Sequence, residues 1–152
     1  MINSNRDERT INMHMNEEGL KLLKSFEGCV LNAYQDVIGI WTIGWGHTAN
    51  VKPGDKITQE QADKMLIEDL SSYEAHVIHN CNNPMNENEF SALTDFCYNC
   101  GSGNLKTLVR GRSNNQIAEA ILLYDKAGGK HIKALSNRRH AERELFLKPV
   151  KA

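Results

Sequence analysis

No stretch of this chain approaches the ~20 consecutive apolar residues that a membrane-spanning helix needs, so membrane insertion is not expected. The first 15 residues, MINSNRDERTINMHM, contain no apolar core of the kind a secretory signal requires. The expectation is a polar N-terminal tail (1–15) on a protein that begins in the cytoplasm and needs outside help to reach any substrate beyond the membrane. A large charge excess is missing too. The chain has 18 Lys+Arg against 19 Asp+Glu, a formal net charge of -1, which argues against nucleic-acid binding by bulk electrostatics. Internal repeats and low-complexity linkers are absent. Cys97-x-x-Cys100 has no second CxxC or HxxxH nearby to complete a zinc site, and no metal or other cofactor is expected.

What is present describes one ordered domain. A chain of 152 residues, 40% hydrophobic and 24% charged, has the size and composition of a single globular unit. At that length folding buries roughly 70% of the surface of the unfolded chain. The charge is unevenly placed. Residues 1–80 hold 7 Lys+Arg against 12 Asp+Glu, and residues 81–152 hold 11 against 7. The basic half either suits a polyanion or is simply a solvated surface. The four cysteines, Cys29, Cys81, Cys97 and Cys100, allow three pairings that sequence cannot rank. Helical spacing favours Cys97 and Cys100 as small buried hydrophobes.

Local signals set the element order. Asn16-Glu17-Glu18 is a helix start, a capping side chain followed by acids in the first turn. Leu20, Leu23 and Phe26 continue it at helical spacing, and Gly28 stops it. Glu27 then falls in the last turn, where the negative end of the helix should raise a carboxyl pKa. Residues 32–48 mix aromatic and β-branched residues with Gly39, Gly44 and Gly46, which reads as a small antiparallel sheet. Thr58-x-x-Gln61 is a capping box that opens a long helix to about residue 79. Beyond Pro84 the pattern is helical. One helix opens at Asn86, and Gly101 and Gly103 break it. A short helix follows near 104–111. Another, opened by Ser113-x-x-Gln116, runs to about 126, Gly128-Gly129 breaks the chain, and the last helix covers about 132–147. The fold class is α+β with its sheet confined to the front.

Glycoside hydrolysis needs a protonated carboxyl at the leaving oxygen and a second group on the opposite face of the sugar. Glu27 and Asp36, separated by eight residues, a helix end and a turn, suit that task. Thr42 adds a hydroxyl beside Asp36, and a carboxylate with a hydroxyl makes a clamp for a water molecule. By residue type alone these are equally ordinary solvated side chains.

The segment from Glu27 to Thr48, with the pattern E-x8-D-x5-T and TIGWGHT at its end, closely resembles the phage-type lysozymes of glycoside hydrolase family 24. The resemblance extends through Thr58-x-x-Gln61-Ala62, Asp69-Leu70, Tyr98-Asn99-Cys100-Gly101, Thr107-Leu108, Gly128-Gly129-Lys130 and Leu135-x-x-Arg138-Arg139-x-x-Glu142. It covers about residues 16–148. It implies a lysozyme-like domain over 16–152. A small N-terminal lobe (about 16–57) carries the short sheet, a connecting helix (about 58–79) follows, and a helical lobe (about 80–148) ends the chain. It also implies a monomeric muramidase acting on peptidoglycan glycan strands, cutting the β-1,4 bond between N-acetylmuramic acid and N-acetylglucosamine with inversion. Glu27 would be the acid, with Asp36 and Thr42 holding the water. Thr48, Tyr98 and Asn99 match positions that line the sugar cleft. Arg138, or less well Arg139, matches an arginine reaching the catalytic Glu, which would lower its pKa. His47 matches a structural partner of Asp69 rather than a base. The family further implies synthesis in the host cytoplasm and access to the wall after holin-type release. Cys29, Cys100, Trp45 and Ala134 depart from the usual residue types at their positions, which touches packing rather than chemistry. Two rival readings remain: a lytic transglycosylase, which needs no positioned water, and a non-catalytic wall-binding or scaffold domain.

Overall fold

The computed structural model describes residues 12–150, so most of the expected tail lies outside the described residues. The chain divides into two compact units, one of residues Leu23–Ser71 and one of the residues up to Leu22 together with those from Ser72 on. The fold is α+β: helices with two small antiparallel sheets. Among the described residues no helix is long and apolar enough to cross a membrane.

The smaller unit begins in helix α1 (Glu17–Glu27). Asn16 caps this helix, its Oδ1 accepting from the Gly19 amide at 2.9 Å. Gly28 takes φ +67°, a left-handed value that suits glycine and ends the helix where the sequence places the stop. Strands β1 (Val30–Gln35) and β2 (Trp41–Gly44) then pair antiparallel. The sheet thus starts two residues earlier than the pattern suggests. Tyr34 faces Thr42 and Gln35 faces Trp41, with an irregularity between Val30 and Tyr34. The chain returns along the other edge of β1, where the Ile57 amide donates to the Leu31 carbonyl and the Ala33 amide to the Asp55 carbonyl, both at 2.9 Å. Thr58 and Gln61 form the expected reciprocal cap and open α2 (Gln59–Asn80). Leu23, Ile43, Ala62, Leu66 and Leu70 are buried in this unit.

The larger unit is organised around α3 (Glu87–Cys100), in which Phe90 through Cys97 are buried without interruption. A helix buried on every side over two turns belongs in the middle of a core. Val77, Leu105, Leu108, Ile117, Ile121, Leu145 and Phe146 belong to the same apolar cluster. The polar residues inside it are satisfied: the Thr94 hydroxyl donates to the Phe90 carbonyl and Ser91 Oγ accepts from the Asn16 amide.

Several sequence expectations need correction here. Helix α4 spans Ser102–Val109 and includes Gly103. Gly101 alone, at φ +88°, makes the break, because glycine is tolerated in a first turn whose amides have no intrahelical acceptor. Helix α5 (Asn114–Ala120) ends well before residue 126 and passes into a 3-10 turn, Ile121–Leu123. The sheet is not confined to the front either. β3 (Lys126–Ala127) and β4 (Lys130–His131) form a second hairpin. Gly128 and Gly129, both at positive φ, supply the two-residue turn such hairpins favour. His131 Nδ1 meets the Asp125 carboxylate at 2.9 Å and clamps its base. Helix α6 (Lys133–Leu147) follows. Residues 12–15 are not a loose tail: the Met15 amide donates to Glu74 at 2.6 Å, and the Met15 side chain is buried.

That burial makes Gly19 a packing position. A Cβ there would lie 2.7 Å from Met15 Cγ and 2.8 Å from Ser91 Cβ. Glycine-to-alanine in a helix normally stabilises by up to ~1 kcal/mol, whereas overpacking costs about 1–3 kcal/mol. Gly19→Ala is expected to lower the urea midpoint, opposite in sign to the helix-propensity effect. An unchanged or higher midpoint would show that Met15 and Ser91 yield without cost.

Candidate active site

Glu27 is the last residue of α1 and half-buried. Three residues on, the chain enters β1, and Asp36 follows directly on its last residue. The Asp36 amide donates to the Ile40 carbonyl and the Gly39 amide to the Asp36 carbonyl, both at 2.9 Å. Gly39 has φ +88°. This is a three-residue hairpin loop with glycine at the left-handed position. The Asp36 side chain builds the same loop, because its Oδ1 accepts from the amides of Ile38 at 3.0 Å and Ile40 at 2.9 Å. Both bonds fall on one oxygen, so Oδ2 keeps its lone pairs for another donor.

Thr42 sits on β2, buried, and its hydroxyl donates to the Ile40 carbonyl at 3.0 Å. With its proton committed, Oγ1 presents acceptor lone pairs. One loop thus leaves two acceptors, the carboxylate Oδ2 and the hydroxyl oxygen, and spends the donors around them on backbone.

His47 is held from both sides. Nδ1 is 2.7 Å from Asp69 Oδ2, and Nε2 is 2.9 Å from the Ala49 carbonyl. Both contacts are within the same unit, one to a side chain and one to the backbone, and together they fix the ring in place. This supports the structural reading of His47. Thr48, in the same unit, is exposed.

One cluster in the smaller unit was not visible in the sequence. Trp45 Nε1 donates to Asp63 Oδ1 at 2.8 Å, Gln59 Nε2 to the same oxygen at 3.1 Å, and Lys24 Nζ lies 3.6 Å away. The Lys24 ammonium also stands 5.3 Å over the Trp45 ring. The Trp45 hydrogen bond is the main reason the Asp63 carboxyl lies below its usual range; Gln59 and Lys24 add to it and partial desolvation opposes it. This gives the unusual tryptophan a physical role, tying β2 to the first turns of α2.

The other site candidates lie in the helical unit. Tyr98 is half-buried, its ring 5.0 Å from that of Tyr73. Asn99 Oδ1 accepts from Arg139 Nη2 at 2.8 Å, which fixes the amide with its NH2 as the free end. Asn99 and Arg139 line a cavity of about 370 Å³ with Asn104, Tyr124 and Lys126. Arg138 is buried and forks onto Asp95, Nε to Oδ2 at 3.0 Å and Nη2 to Oδ1 at 2.8 Å. Arg139 forks onto Glu142 at 2.6 and 2.8 Å. Burial, with Asp95 close by, pushes Glu142 well above the usual carboxylate range despite Arg139. All four cysteines are free. Burial pushes the Cys97 and Cys100 thiols up to about 11, so they are protonated at neutral pH. Among the described residues no group of three or more His, Cys, Asp or Glu is placed to hold a metal ion.

Removing the indole donor tests the Asp63 cluster. A carboxyl with a lowered folded-state pKa stabilises above its unfolded pKa, and that contribution is lost as pH falls through the folded value. Trp45→Phe should raise the Asp63 pKa toward 3.8 in a carboxyl NMR titration and shrink the stability lost between about pH 5 and pH 3. An Asp63 titration identical in both proteins would refute the assignment.

Comparison with known proteins identifies the family of the chain. Residues 24–142 match the family model described as phage lysozyme. The chain is 39% identical over 144 residues to an endolysin of Acyrthosiphon pisum secondary endosymbiont phage 1, covering 88% of this chain and 98% of that protein. It is 40% identical over 141 residues to the endolysin of Lactococcus phage c2, covering 91% of this chain but 62% of that longer protein. A crystal structure of a point mutant of P22 lysozyme superposes with a TM-score of 0.80 at 36% identity, covering 90% of this chain and 99% of that one.

Proposed function

Because the chain belongs to the phage lysozyme family of peptidoglycan-hydrolysing glycosidases, we propose that it is an inverting muramidase, cutting the β-1,4 bond between N-acetylmuramic acid and N-acetylglucosamine. The observation that carries this reading is the loop from Asp36 to Thr42. Its carboxylate gives Oδ1 to the turn amides, and its hydroxyl gives its proton to Ile40. Two acceptors facing one water accept hydrogen bonds from both of its O–H groups and leave an oxygen lone pair for the anomeric carbon. Glu27, protonated, delivers its proton to the leaving glycosidic oxygen. Asp36 receives the proton the water sheds as the new C–O bond forms and the glycosidic bond breaks. Attack from the face opposite the leaving group inverts the anomeric centre, and such a pair of carboxyls works about 6.5–9.5 Å apart.

In this reading Thr48, Tyr98 and Asn99 contact the glycan, with the Asn99 NH2 directed at an acceptor such as an acetamido carbonyl. Arg138, paired with Asp95 inside the helical unit, is the fourth residue assigned to glycan binding. The protein works as a monomer, without a metal, after holin-type release delivers it from the host cytoplasm to the wall. A lytic transglycosylase needs an acid but no pair of acceptors around a water, so the committed loop favours hydrolysis.

Two substitutions separate the roles. Glu27→Gln should lower the rate of wall lysis by about 10²–10⁴-fold. Asp36→Asn keeps an Oδ1 acceptor for the turn and replaces Oδ2 with a donor. It should therefore leave the thermal midpoint nearly unchanged and reduce turnover on the same scale. Wild-type digestion of purified sacculi should yield reducing-end muramic acid with inverted configuration by NMR. Release of 1,6-anhydro-muramic acid would establish a transglycosylase instead, and equal, negligible lysis by wild type and Glu27→Gln would establish a non-catalytic domain.

A further inference from the structure

The helical unit holds a second concave site that the Glu27, Asp36 and Thr42 set does not use. Its walls are the last turn of α2, the connection at Asn82 and Asn83, Lys106 on α4, and the loop Arg110–Ser113. The cavity has a volume of about 630 Å³, and no Asp or Glu lines it. Lys106, Arg110 and Arg112 face it, and among the described residues none of the three is in an ion pair. The arginines of α6 behave differently: Arg138 pairs with Asp95, Arg139 with Glu142 and Arg143 with Glu119. Among the described residues, the unit's arginines without an ion pair therefore meet at one recess.

That recess is preformed. Arg112 Nη1 donates to the Thr107 and Leu108 carbonyls at 3.2 and 2.9 Å, which anchors the guanidinium and leaves Nη2 and Nε to a ligand. Gly111, at φ +66°, reverses the chain between the two arginines. Asn83 Nδ2 donates to the Arg112 carbonyl at 2.8 Å and to Asn114 Oδ1 at 3.1 Å, and Asn114 Nδ2 donates to the Pro84 carbonyl at 2.8 Å. An anchored guanidinium loses little freedom on binding, and its planar fork matches oxyanions.

We infer that this recess binds a phosphoryl group carried on a polyol or sugar, as presented by a soluble polyol-phosphate polymer of the bacterial envelope. Two guanidinium groups and an ammonium exceed what one carboxylate can neutralise and suit phosphate oxygens. The volume is larger than bare phosphate needs, so it admits the flanking polyol. Val109, itself buried, is the one apolar residue in the lining, so nothing here would insert into a bilayer. A recessed pocket also suits a thread of polymer better than a flat lipid surface. The site lets the enzyme hold wall material independently of the glycan cleft.

Three measurements on the full chain test this. Titration with glycerol phosphate should move the amide resonances of residues 106–113. Poly(glycerol phosphate) should bind at least tenfold more tightly than polyglutamate of equal length, with an affinity that falls as salt rises. The double variant Lys106→Ala/Arg110→Ala, and Arg110→Gln alone to a smaller degree, should weaken polymer binding, tenfold or more for the double variant. Both variants should hydrolyse phosphate-free sacculi within twofold of wild type. Equal binding of polyglutamate, undiminished binding by the double variant, or binding to phosphatidylglycerol vesicles without binding to the polymer would each overturn the inference.

Discussion

The helical unit depends on two buried ion pairs set side by side. Arg138 and Arg139, consecutive on α6, reach Asp95 on α3 and Glu142 on α6, and all four side chains are buried. Taking such charges out of water costs several kcal/mol each, and the attraction between them does little more than recover it. Their contribution is therefore register rather than net stability. The Arg139 fork closes within α6, whereas the Arg138 fork crosses to α3 and closes at only one rotation of α6 against it, because any other leaves Asp95 uncompensated in the core. The consequences run outward from there. Arg139 stands 5.1 Å over the Phe96 ring, reaches the Cys100 sulfur, and holds Asn99 by its carbonyl oxygen. The orientation of a candidate sugar-binding amide is thus set from inside the core.

The same pair shows how far sequence could be read. Leu135-x-x-Arg138-Arg139-x-x-Glu142 was visible as a motif, and its helix was expected nearly where it stands. Which arginine serves which partner was not visible, because Asp95 and Asn99 lie about forty residues away along the chain. Local chemistry was legible throughout. The caps at Asn16, Thr58 and Ser113 and the stop at Gly28 are decided within four residues, and the structure has each of them. Features decided at long range were missed. Trp45 with Asp63 and Met15 with Glu74 join positions that carry no joint pattern. The β3–β4 hairpin escaped for another reason: strands of two residues are too short to show any periodicity, so Gly128-Gly129 read only as a break. Gly103 misled in the opposite direction, since a glycine in the first turn of a helix costs little.

In the smaller unit the spacing of Glu27, Asp36 and Thr42 was legible, but the division of labour among their atoms was not. A carboxylate has two oxygens, and only the backbone around it decides which one is spent. Here the turn takes Oδ1 of Asp36, and the Ile40 carbonyl takes the Thr42 proton. Ile40 thus serves both residues, through its amide on one side and its carbonyl on the other, although its own side chain carries no polar group.

That loop works as a ruler. Strand side chains alternate between faces, so a register slip of one residue would turn Thr42 to the opposite side of the hairpin. Inserting or deleting a single residue between Asp36 and Thr42 would break the pairing of Tyr34 with Thr42 while leaving every candidate site side chain present in the sequence. The side chains of Val37 and Ile38, at 104% and 77% exposure, have almost nothing to fit against, so their identities are loosely constrained. Their number is not. At the tip of this hairpin the chain specifies a length rather than a composition.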